Sequence, residues 1–162
     1  MLSFLMWLVW RKRIKTAVFL KETGILNSGE NTFCSFCNEE EEDLDHLLLH
    51  YVVTWKIWTE VLKWWGIQWV VPSSVAELFG WWIGFRFSGL EKEIWKVIHA
   101  VALWCIWVKR NKCKFNGAIL VWEEVCDLIK VKVSMWIKFG SKSVNYSINE
   151  LCQNLKAIRG CD

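Results

Sequence analysis

The sequence predicts an all-α fold, and three observations carry that expectation. Strand signals are scarce, with one proline and nine glycines punctuating mostly helical patterns across 162 residues. Leu44, Leu48, Tyr51, Trp55, Trp58, Leu62 and Trp65 recur at alternating steps of four and three, which draws one apolar stripe along a helix. A Ser followed three residues later by Glu, the signature of a helix start, occurs at Ser74/Glu77, Ser88/Glu91 and Ser147/Glu150.

The elements follow in order. A first helix is predicted from Leu2 to about Arg11. A second, short one starts after Thr16, whose hydroxyl suits an N-cap, and stops at Gly24, which suits the left-handed residue past a helix end. Asn27 to Asn31 is a polar loop. The striped helix then runs from about Leu44 to Gly66. Val71-Pro72-Ser73-Ser74 forms the clearest boundary, and a short helix follows it to about Trp82. A long helix is expected over Leu90 to Lys114 and another over Leu120 to Phe139, with Asn116-Gly117 as the turn between them and Gly140 as the stop. A last short helix carries Leu151, Leu155 and Ile158 on one face.

Composition limits what the chain can be. A hydrophobic content of 54% supplies a core, and fourteen tryptophans must be buried or used at an interface. The net charge of +3 is too small to imply a polyanionic partner by itself. Its distribution says more. Arg11, Lys12, Arg13 and Lys15 form one basic run and Lys109, Arg110, Lys112 and Lys114 another, both read first as solvated surface, while Glu39 to Asp43 is wholly acidic. Seven cysteines show no regular framework, which favours a reducing compartment over a secretory one. The segment Met1 to Trp10 is apolar before it turns basic, the reverse of a signal peptide, and is too short to span a bilayer. Val97 to Val108, the longest later apolar run, contains His99 and reads as a buried helix, with His99 a satisfied core histidine. No glycine-rich phosphate loop or nucleophile elbow is found, so the chain is read as a non-enzyme with no small-molecule substrate.

One cluster carries chemistry. Cys34-x2-Cys37 is followed after eight residues by His46 and, four further on, by His50. Two thiols on a tight turn and two imidazoles on one helix face suit the tetrahedral coordination of Zn2+. Three other readings stand beside it: two core cysteines, a redox pair lacking its strand-to-helix setting, and surface histidines opposite the apolar stripe. The acidic run is read as a solvated loop, with Asp43 or Asp45 favourable near a helix N-terminus.

With these residues in view, the chain resembles the zinc-binding domain that follows the reverse transcriptase in plant non-LTR (LINE-type) retrotransposons. Phe4 to Trp7, Arg13 to Thr16, Leu20 and Gly24-Ile25 resemble the segment before that domain's cysteines. Cys34-x2-Cys37, the Glu-rich loop, Asp45-His46-Leu47 and Trp58 resemble its metal centre. Trp64 to Ile67, Val71 to Ser74, Ala102 to Asn111 and Phe115 to Gly117 continue the likeness to about residue 140. The family pattern puts its fourth ligand, a cysteine, where this chain has Tyr51; His50 could substitute, or water could complete a three-ligand site. The polymerase body would precede such a domain, and its catalytic aspartates are absent here, as in a piece derived from a mobile element.

The resemblance implies a small zinc-binding module with a helical extension: residues 1–70 the module, 71–140 the extension, 141–162 a tail with a short helix. It implies Zn2+ on Cys34, Cys37, His46 and His50, no catalysis, and RNA or DNA as a partner, met by Arg11, Lys12, Arg13, Lys109, Arg110, Lys112 and Lys114. It further implies an intracellular location, nuclear or cytoplasmic. Against it stand a metal-free helical interaction or scaffold protein whose cysteine cluster is a relic, and a membrane-surface protein using tryptophan-rich faces.

Overall fold

A computed structural model describes residues 2–140 and 144–159 of the chain. Cys161 and the start of the expected tail lie outside the described residues. Among the described residues, seven α-helices make up the body: α1 (Leu2–Trp10), α2 (Ala17–Glu22), α3 (Val52–Trp65), α4 (Val75–Gly84), α5 (Gly89–Asn116), α6 (Trp122–Gly140) and α7 (Ile148–Gln153). A π-helical turn, His46–His50, precedes α3, and a 3-10 turn, Leu155–Ile158, follows α7. Among the described residues the only strand-like pairing is one antiparallel bridge, Phe33 to Glu41. The all-α expectation therefore holds. No described helix is long and apolar enough to cross a membrane.

Most boundaries sit where local chemistry puts them. The Thr16 hydroxyl accepts from the Phe19 N–H and Ser74 from the Glu77 N–H, each satisfying a donor that the first helical turn leaves open. Ser147 and Glu150 form a reciprocal capping box. Ser88 has the extended backbone of an N-cap but no side-chain bond, so that signature marks the boundary without its usual hydrogen bond. Gly66 (φ 85°) and Gly117 (φ 64°) close α3 and α5 in the left-handed region, where a side chain would be strained.

One expectation fails in an informative way. The stripe from Leu44 to Trp65 does not ride on one continuous helix. The backbone leaves helical space at Tyr51 (φ −56°, ψ 129°), and the turn before it is wound with i to i+5 bonds. The carbonyls released at this junction are taken up from α3: Thr54 Oγ1 donates to Leu47 O at 3.0 Å, and Trp58 Nε1 donates to Leu48 O at 2.8 Å. Both side chains are buried, so the turn is tied down by the core. Trp55, by contrast, is exposed.

Most of the buried hydrophobic residues form one cluster running from Leu5 on α1 to Ile158 in the last turn. α5 packs on α6 and α1, and α6 packs on α3 and α7. The last described segment is fastened to α3: Trp64 Nε1 donates to Leu151 O at 3.0 Å, and Arg159 Nη1 donates to Gly66 O at 3.1 Å. Tryptophan supplies much of the interior. Trp58, Trp64, Trp65, Trp82 and Trp95 are buried, while Trp7, Trp10, Trp55 and Trp136 are exposed.

Candidate metal centre

The site is built by a short hairpin and the π turn. The Cys34 N–H donates to Glu40 O at 2.7 Å and the Glu42 N–H to Thr32 O at 2.8 Å, which brings the acidic segment back alongside the cysteines. Between the arms, the Asn38 N–H donates to Cys34 O at 2.8 Å, and Asn38 takes a positive φ of 56°, a conformation asparagine tolerates better than most residues. The result is a knuckle in which the Phe36 N–H also points at Cys34 Sγ, 3.4 Å away. The Asp43 carboxylate accepts from the His46 N–H at 2.7 Å and so starts the π turn. Asp45 accepts from the Val75 N–H at 2.7 Å and fixes the site to the start of α4.

This brings three of the four expected ligands together. One donor atom each from Cys34, Cys37 and His46 lie within 4.8 Å of one another. His46 Nε2 is 3.5 Å from Cys37 Sγ. Its other nitrogen, Nδ1, is 3.1 Å from Glu40 Oε2. A carboxylate on Nδ1 holds the proton there and leaves the Nε2 lone pair facing the thiols, the usual arrangement of a metal-binding imidazole. Two sulfurs and one nitrogen are a donor set that fits a zinc ion.

His50 does not join them. It is exposed, and its Nε2 lies 3.3 Å from Pro72 O. The His50 ring is turned toward the segment before α4 instead. The turn is wound with i to i+5 bonds, and the residue bonded back to His46 is the fifth one on. That residue is Tyr51, whose N–H donates to His46 O at 2.9 Å and whose ring lies 5.7 Å from those of His46 and Phe36. The position where the domain that the sequence resembles has a cysteine is thus beside the cluster, and here it holds a phenol. Burial, then the nearby Cys37 and Cys34, push the Tyr51 hydroxyl above its ordinary value, so it stays neutral. Burial likewise pushes the metal-free Cys34 thiol up to about 11, so a metal binding there must displace a proton.

The acidic loop is not uniformly solvated. Glu42 is fully buried, and its carboxylate meets Arg110 of α5, itself 2% exposed. Arg110 Nε donates to both carboxylate oxygens at 3.1 and 3.0 Å, and Nη2 donates to Oε1. The same carboxylate accepts from the Ala17 N–H at 3.0 Å and from the Ser35 N–H and hydroxyl at 3.1 and 3.0 Å. Burial opposes ionisation of Glu42, but Arg110 and the Ser35 donors outweigh it and hold the carboxyl below its ordinary value. Glu42 thus anchors the knuckle to α2 and α5. Neither its role nor that of Glu40 stands out in a run of four glutamates; the repeated acidic type hides the two positions that matter.

This also corrects the expected nucleic-acid residues. Arg110 is consumed by Glu42 and offers nothing to a phosphate. Lys109 is 3.3 Å from Glu124 and mostly covered. Arg11, Lys12, Arg13, Lys112 and Lys114 are exposed. The Arg11 guanidinium lies 5.8 and 5.9 Å from the rings of Trp7 and Trp10.

The family model described as zinc-binding in reverse transcriptase matches residues 1–58, the segment that holds the cluster. No curated protein and no solved structure matches the chain.

Proposed function

We propose that the chain is a non-catalytic zinc-binding module derived from a retrotransposon reverse transcriptase of the plant LINE type. The observation that carries this is the convergence of Cys34, Cys37 and His46 inside the segment similar to the reverse-transcriptase zinc-binding domain. Zinc would be held by these three residues, with water or an incoming donor in the fourth place. The ion would supply folding free energy to the knuckle, which has little apolar content of its own. Glu40 orients His46, and Glu42 with Arg110 holds the loop against α5. Nucleic-acid contact in this reading rests on Arg11, Lys12, Arg13, Lys112 and Lys114, and affinity that falls steeply with salt is its mark. The setting is intracellular, where thiols stay reduced.

Elemental analysis of protein purified without added metal tests the proposal. One equivalent of zinc is expected, with Cys34→Ser and His46→Ala each losing it. A value near zero, with folding unchanged by chelation, would replace this function with the metal-free scaffold.

A further inference from the structure

Helix α1 divides its side chains between core and solvent. Leu5 and Val9 are buried, whereas Phe4, Trp7 and Trp10 are 63%, 49% and 64% exposed. The Phe4 and Trp7 rings stack, with centroids 6.1 Å apart. The chain then turns back. The Lys12 N–H donates to Val9 O at 3.0 Å and the Arg13 N–H to Leu8 O at 2.8 Å, the helix ending that usually has glycine at its left-handed residue. Here that residue is Lys12, with a φ of 53°. Past it, Ile14 and Thr16 are buried while Arg13 and Lys15 are exposed, so alternate residues carry the two cations outward. The result is a groove of about 690 Å³ lined by Trp7, Leu8, Arg11, Arg13, Lys15 and Phe19. No carboxylate lines it. Among the described residues none of its cations is in an ion pair.

We propose that this groove binds single-stranded nucleic acid, with Arg11, Arg13 and Lys15 on its phosphates and a base stacked on Trp7. The inference deepens the nucleic-acid contact of the proposed function and rests on that reading. Cations gathered in one groove without an acid to neutralise them suit a polyanion. An exposed indole beside them suits a ligand that is also planar. A strand offers both, because its bases present their faces, whereas a duplex hides them in its stack. An anionic bilayer also attracts tryptophan and basic residues. It is broad and flat, however, and would meet the rim of a groove before the cations inside it, while a strand can follow the groove.

Fluorescence anisotropy of the full chain with a labelled oligothymidylate of about twelve nucleotides tests the assignment. The comparison probes are an abasic strand of equal length, a duplex, and phosphatidylserine vesicles in co-sedimentation. Saturable binding of the oligothymidylate is expected, with the abasic strand about tenfold weaker. Trp7→Leu removes the stacking face and leaves the cations, so it should erase that difference. Arg13→Gln combined with Lys15→Gln should flatten the plot of log affinity against log salt by about 0.7 per cation removed. Equal binding of the thymidylate and abasic strands would overturn the proposal, as would a duplex bound as tightly as the strand, or binding to the vesicles alone. Loss of binding in Lys112→Gln with Lys114→Gln, while the α1 variants bind as the parent does, would place the contact on α5. The groove would then be overturned and the proposed function would stand. A zinc-loaded chain that binds none of the probes would overturn the groove and every nucleic-acid contact, leaving the metal centre.

Discussion

Glu42 and Arg110 show what a single buried charge demands. A carboxylate with no exposure is tolerable only because a guanidinium and three further donors surround it. Arg110→Ala leaves that carboxylate stranded and should cost about 3–5 kcal/mol in urea unfolding. The pair is also acid-sensitive. The folded-state value of Glu42 lies below its ordinary 4.5, so its contribution is present above that value and is lost as pH falls through the lower folded one. His99 acts in a different window. Burial lowers it well below 6.5, so the unfolded chain takes up a proton that the folded chain refuses. Stability should therefore decline as pH drops below about 6.5, and the decline should be shallower in His99→Phe, compared by urea midpoints at pH 7 and pH 5.5.

At the scale of the element, the π turn ends at Tyr51, whose ring lies 5.7 Å from that of His46. Tyr51→Cys should therefore add a third sulfur beside the candidate ligands and tighten metal binding at least tenfold in competition with a chelator. With cobalt as the probe, the thiolate charge-transfer band should grow. The helices were legible in the sequence because their signals are local: Thr16, Ser74 and Ser147 cap, Gly66 and Gly117 stop, and the apolar steps repeat. The π turn was not, because the four-and-three stripe passes through residue 51 without interruption. The clue was elsewhere, in the interval of five between His46 and the position of the family's last ligand. Three of the four candidate ligands were legible from spacing alone. Arg110 was not excluded, since a buried arginine inside a basic run looks like its neighbours until its distant partner is known.

Across the whole molecule, the segment similar to the zinc-binding family depends on chain well beyond its end. Residues 1–58 contain Glu42, whereas its cation comes from α5. The carbonyls of the π turn are satisfied from α3, and Asp45 caps the start of α4. A fragment of residues 1–70 keeps every thiol and imidazole of the centre but lacks Arg110. Its apparent zinc affinity should be at least tenfold weaker than that of the full chain in chelator competition, because the loop lacks the Glu42–Arg110 contact that holds it in place and part of the binding energy goes to ordering it. Equal affinity in fragment and full chain would mean that the knuckle is self-sufficient.

The Glu42–Arg110 link also orders events in time. The two residues are 68 positions apart, while Cys34 and His46 are separated by 46 − 34 = 12. Closing the longer loop costs about 1.5 kcal/mol more in chain entropy. A nascent chain can therefore gather the thiols and imidazole around an ion long before α5 has been made. The knuckle then waits with its glutamate in water, and only the arrival of the arginine lets that carboxylate leave solvent. In the proposed function, metal capture would thus be an early, local event and its locking a late, nonlocal one, a sequence set by distance along the chain.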